Sequence, residues 1–208
     1  MLLVSALFWF SGAVVQQAVN SFGKQEPGLS DTRTSLLAAA LGTGIAAGCM
    51  LGGKLSKKRI RFGLVTIGAW GLVLCLMALV VISQLRLQGM WLTVEAPQST
   101  HEIFTAGSAE WLVRLALGGV GLFGGVFIVP LQVSPPESQK GRMIATMNFA
   151  NGVGILLSAV FYGGVDWVRR MVSAGLQVHV PNSVMFGALA IVILPVALLY
   201  RPPDRELE

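Results

Sequence analysis

Few side chains in this sequence could do covalent or acid–base chemistry. His101 is followed four residues later by Thr105, where a membrane acyltransferase would need an aspartate, and His179 stands alone close to Pro181. Cys49 and Cys75 lie inside apolar runs with no CxxC spacing and no neighbouring histidine, so they read as small buried hydrophobes rather than a zinc site or a disulfide framework. No apolar run holds a pair of carboxylates, and no Ser-His-Asp set is evident. The sequence therefore predicts no catalytic set, no metal centre and no cofactor. What remains is amide chemistry inside apolar runs, together with one knot of charge. Gln16 and Asn20 are spaced i, i+4 and share a helix face, with Gln17 beside them, and Asn148 and Asn151 share a face at i, i+3. Polar groups at such depth usually face a bundle interior or a water-filled path. The knot is "GGKLSKKRIRFG", residues 52–63, between two long uncharged stretches.

The elements that must position these groups are membrane spans. Of 208 residues, 54% are apolar and only 12% charged, about half the charged share usual for globular domains. Mean hydropathy is +0.70. A net charge of +5 could mean nucleic-acid binding. Here, however, the basic residues sit between apolar runs, so membrane topology explains them better and no nucleic-acid partner is expected. A helix needs about 20 mostly apolar residues to cross the hydrocarbon core. Six runs approach this length: 2–19, 35–53, 62–85, 115–133, 143–165 and 184–200. The first lacks a basic flank and a small-residue cleavage site, so it reads as a retained span rather than a signal peptide. The expected fold is all-α, a polytopic six-helix transmembrane bundle surrounded by membrane lipid. In "LGTGIAAGCMLGG", Gly44, Gly48 and Gly52 recur every four residues along one helix face, and Gly121 and Gly125 do the same in the fourth run. Such faces let helix backbones approach closely.

Two stretches carry a family resemblance. The basic knot resembles the cytoplasmic loop motif of the major facilitator superfamily, Gly-x-Leu-x-Asp-Arg-x-Gly-Arg-Arg: Gly53, Leu55, Lys58 and Arg61 fit it, whereas Lys57 stands for the Asp and Ile60 for a Gly. The stretch from Gly121 to Ala159, with "FIVPL", "PPE", a Gly-Arg step and Asn-Phe-x-Asn, is similar to the tenth and eleventh helices of bacterial lysophospholipid transporters and their acyltransferase-fused relatives. The opening stretch, from Phe8 on, is similar to that group's seventh helix, while the segment between Leu131 and Pro135 is shorter than the group's pattern.

The resemblance implies the C-terminal half of a twelve-helix secondary transporter, not an enzyme, that moves a lysophospholipid or similar amphipathic molecule across a bacterial inner membrane. Its partner would be a six-helix N-terminal half or a second copy of the chain. It further implies that Gln16, Gln17 and Asn20 line the substrate path. Asn148 and Asn151 would bridge the halves, and Glu137, Lys140 and Arg142 would switch partners in a cytoplasmic loop. The alternatives are a membrane anchor or scaffold bundle that transports nothing, or a transporter of another small molecule.

With six spans, Lys54, Lys57, Lys58, Arg59, Arg61, Lys140, Arg142, Arg201 and Arg205 fall on the side of the N-terminus, and Lys24, Arg33, Arg86, Arg114, Arg169 and Arg170 on the other. Basic loop residues favour the cytoplasm, so both termini are expected there. In a background free of cysteine, Lys57→Cys should resist an impermeant thiol reagent applied from outside and react once the membrane is opened. Labelling from outside would reverse the topology.

Overall fold

In the computed structural model, residues 2–25, 29–56, 59–60, 63–87, 108–132, 140–200 and 205–206 are described. They form six helices: α1 (Leu2–Gln25), α2 (Asp31–Leu55), α3 (Gly63–Leu87), α4 (Ser108–Gln132), α5 (Lys140–Leu176) and α6 (Val184–Leu199). A two-residue antiparallel bridge joins β1 (Arg59–Ile60) to β2 (Arg205–Glu206). Helices α1 to α5 are long and apolar enough to cross a membrane, and α6 is a shorter apolar helix of 16 residues.

Contacts along the helices give their directions. Gly44 lies on Gly118, Gly48 on Leu122 and Gly52 on Val126 and Val129, so α2 and α4 run parallel. Ser5 meets Asn151 and Ser21 meets Tyr162, so α1 and α5 also run parallel. Gly68 faces Phe127 and Gly71 faces Phe123, which makes α3 antiparallel to α4; Thr66 reaches Tyr200 and Gly187 lies by Val80, which makes α6 antiparallel to α3. The chain therefore goes up and down through the bundle. The starts of α1, α3 and α5 and the ends of α2, α4 and α6 share one end. The β1–β2 bridge, with Arg59 opposite Glu206 and Ile60 opposite Arg205, ties the α2–α3 connection to the tail at that end.

Helix α4 is the centre. Along its second half, Val126, Phe127, Ile128 and Leu131 are all buried. On one side it meets α2 backbone to backbone. The buried residues of α2 include Leu37, Leu41, Gly44, Gly48 and Gly52, a 3–4 spacing that keeps them on one face. A β-carbon at Gly48 would collide with the Leu122 carbonyl, and one at Gly125 would come within 2.6 Å of the Cys49 amide nitrogen and the Ile45 carbonyl oxygen. On its other side α4 buries Phe127 against Gly68 of α3. Phe22 of α1 packs edge-on against Phe186 of α6, with ring centroids 5.7 Å apart.

Two boundaries differ most from those expected. The fourth helix starts at Ser108 rather than 115, so Glu110 and Arg114 are helical. The fifth runs to Leu176 rather than 165, a rod of about 56 Å. Asp166 explains this extension, because it accepts from Arg169 and Arg170 at i+3 and i+4 and so keeps a charged turn helical. The helix ends with Gln177 in the left-handed conformation, φ 52°. The chain then folds back: Ser173 donates to the Val178 carbonyl at 2.7 Å and Arg169 to the Val180 carbonyl at 3.0 Å. Helix α6 consequently starts inside the bundle, at buried Ser183, and at about 24 Å is shorter than the hydrocarbon core.

Gly48→Leu should abolish folded yield in detergent, because no rotamer can relieve a clash with backbone. Gly42→Leu, at an exposed α2 position with nothing within 4 Å, should leave the thermal midpoint of the purified chain unchanged. Equal behaviour of the two variants would contradict the α2–α4 contact.

Candidate functional site

The exposed face of α1 carries Trp9, Gly12, Gln16, Asn20 and Lys24, spaced three or four residues apart. The opposite face, with Val14, Val15, Ala18, Val19 and Phe22, is buried. Strict 3.6-residue periodicity thus leaves two amides and an ammonium in one outward stripe on a helix of membrane length.

Gln17 does not belong to that stripe. Successive helical residues lie about 100° apart, and this turns Gln17 into the bundle. There its amide nitrogen donates to the Ala13 carbonyl and to Ser158 Oγ of α5, both at 3.3 Å. Nor do Asn148 and Asn151 act as a pair. Asn151 accepts from Ser5 Oγ at 3.0 Å within the bundle, whereas Asn148 is exposed. With Tyr162, whose hydroxyl donates to Ser21 Oγ at 2.7 Å, these contacts make a polar seam between α1 and α5. Gly154 completes it: a β-carbon there would lie 2.5 Å from the Ala6 carbonyl oxygen.

Outside the seam, two helices show small residues to the surroundings. Ser35, Ala39, Gly42, Ala46 and Gly53 line one outward face of α2, and Gly141, Ala145, Gly152, Ala159 and Gly163 one outward face of α5. No described residue lies within 4 Å of a β-carbon built at Gly12, Gly42, Gly53, Gly141, Gly152 or Gly163. A different face of α5 is bulky and apolar, with Phe149, Val153, Leu157 and Val160 exposed. The two kinds of surface suit different neighbours, small residues a close-packed helix and large ones lipid.

Of the loop residues, Gly53 and Leu55 are exposed at the end of α2. Lys58, Arg61 and Glu137 lie outside the described residues, as does His101. Lys140 opens α5, and Arg142 is exposed in its first turn.

One cluster escaped the sequence reading. Arg33 of α2 and Arg114 of α4 both bind Glu110, Arg33 at 3.3 Å, with side chains 5%, 8% and 9% exposed in that order. The Arg114 guanidinium also sits 4.9 Å from the Trp111 ring centre. From sequence, Arg33 and Glu110 read as parts of hydrophilic connections. Only the adjacency of α2 and α4 brings them together and buries them. The cluster clamps the two helices at the end opposite the basic knot.

Among the described residues no group of three or more His, Cys, Asp or Glu side chains could hold a metal ion. No family model, curated protein or solved structure matches the chain.

Glu110→Gln takes the shared carboxylate from two buried guanidiniums. Removing one partner of a buried ion pair costs about 3–5 kcal/mol. The variant should unfold at a clearly lower temperature in detergent, whereas Lys24→Met, which breaks an exposed pair with Asp31, should leave the midpoint nearly unchanged.

Proposed function

We propose that this chain is one six-helix half of a secondary membrane transporter, which moves an amphipathic molecule such as a lysophospholipid by rocking against a second bundle. The exposed amide stripe of α1 carries the reading. Gln16 and Asn20 lie outward on a membrane-length helix, where contact with hydrocarbon is costly and a water-filled path or a covering bundle removes the cost. The small-residue faces of α2 and α5 support it, since they suit close helix contact and the described residues leave them uncovered. So does the packing pattern. Pairing α1 with α5 and α4 with α2 is one arrangement used twice, related by stepping three helices along the chain, as expected for a nested inverted repeat of three plus three spans. The resemblance of the basic loop and of the 121–159 stretch adds the superfamily and the lipid class.

In this reading Gln16 and Asn20 line the path, while Gln17 and Asn151 hold α5 to α1. Gly53 and Leu55 at the end of α2, with Lys58 and Arg61, make up the cytoplasmic motif, and Glu137, Lys140 and Arg142 its switch. The chain resides in a bacterial inner membrane with both termini in the cytoplasm.

Proteoliposomes holding this chain alone should not flip fluorescent lysophospholipid, and supplying a complementary six-helix half should restore flipping. Flipping by the chain alone would overturn the half-transporter reading unless Asn148→Cys crosslinks two copies, which would assign the covering bundle to a second copy. If no complementary half restores flipping, the chain is an anchor or scaffold bundle.

A further inference from the structure

At the end of the bundle opposite the basic knot, the amide stripe of α1 runs into an open cleft of about 470 Å³, lined by Asn20, Ser21, Lys24, Asp31, Thr34 and Ser35. Among the described residues, the lining holds one cation, one anion and four neutral polar groups. The Lys24 ammonium and the Asp31 carboxylate stand 3.0 Å apart with side chains 60% and 87% exposed. An exposed pair of this kind is worth little, so a ligand can part it. Ser21 Oγ accepts from Tyr162, which leaves its own proton to be donated. Thr34 is buried, and its Oγ1 has no hydrogen-bond partner among the described residues. Ser35 is committed as a donor to the Asp31 carbonyl at 2.9 Å, so its lone pairs are what it offers.

We infer that this cleft binds a zwitterion that carries an anionic group and an ammonium a few bonds apart, the anion on Lys24 and Ser21 and the ammonium on Asp31 and Asn20. A simple anion would be left facing the Asp31 carboxylate, and a simple cation the Lys24 ammonium. A dipolar ligand satisfies both charges and replaces their weak mutual pair by two charge-assisted contacts. The inference rests on reading the α1 face as a substrate path, and it places a head-group subsite at one mouth of that path.

The probes are O-phosphoethanolamine and lysophosphatidylethanolamine, titrated against the purified full chain in detergent, with inorganic phosphate and ethanolamine as single-charge controls. The zwitterions should bind at least about tenfold more tightly than either control, and Lys24→Met and Asp31→Asn should each weaken them by about tenfold or more, as loss of a charged hydrogen-bond partner predicts. Ser21→Ala, which keeps both charges, should weaken them a few-fold by roughly the worth of a neutral hydrogen bond. Loss in both variants with only the lysolipid binding assigns the cleft to a lipid head group; equal binding of the free head group assigns it to a soluble zwitterion. Binding unchanged by Lys24→Met and Asp31→Asn, equal binding of phosphate alone, or no binding of either zwitterion would overturn the subsite. Because the assay needs no transport, a chain that binds in this way and flips no lipid even when a complementary half is supplied would sink the transporter reading and leave the subsite standing.

Discussion

The structure depends on one contact, the meeting of α2 and α4 along their glycines. Where Gly48 touches Leu122 and Gly125 touches the backbone between Ile45 and Cys49, no side chain separates the helices. Lipid tails are as apolar as leucine, so burial of apolar area gives little drive for association within a bilayer, and close van der Waals packing must supply it. The glycine face makes such packing possible and fixes its register. With α2 held there, α4 becomes the centre of the bundle. Its phenylalanines then reach α3 at positions where Gly68 and Gly71 leave room. The Arg33–Glu110–Arg114 cluster forms only because the same contact brings α2 and α4 together at their first turns.

The α1–α5 pair has the same parallel arrangement but a different chemistry. Its seam consists of Ser5–Asn151, Gln17–Ser158 and Ser21–Tyr162 hydrogen bonds, with one close glycine at 154. Interhelical hydrogen bonds in membranes contribute about 0.6 kcal/mol each on average. The seam is therefore a set of small, replaceable interactions, whereas the glycine contact admits no substitute side chain. One half of the bundle is fixed by shape and the other by matched polar groups.

Much of the architecture was legible in the chain. Long uncharged runs mark five helices of membrane length, because the bilayer imposes both length and polarity on whatever crosses it. The spacing of Gly44, Gly48 and Gly52 defines a face without knowledge of its partner, since helix geometry is local. Partners are not local. Asn151 finds Ser5 across 146 residues, and nothing in either neighbourhood announces it. Gln16 and Gln17 are chemically alike and adjacent, yet one turns outward and the other into α5, a distinction set by where the neighbouring helices lie. The 37-residue length of α5 was hidden for another reason. Asp166, Arg169 and Arg170 look like the end of an apolar run, and only their mutual pairing shows that the helix continues through them.

That length gives α5 a mechanical property. It is held chiefly by α1, with a lesser contact to α6, and its last turns stand beyond the point where α1 ends. Its seam with α1 spans Asn151 to Tyr162, so Leu176 lies about 21 Å past the last grip and moves by roughly 4 Å for a tilt of only about 10°. Small reorientations of the bundle are thus magnified at Leu176, and the fold carries its own pointer.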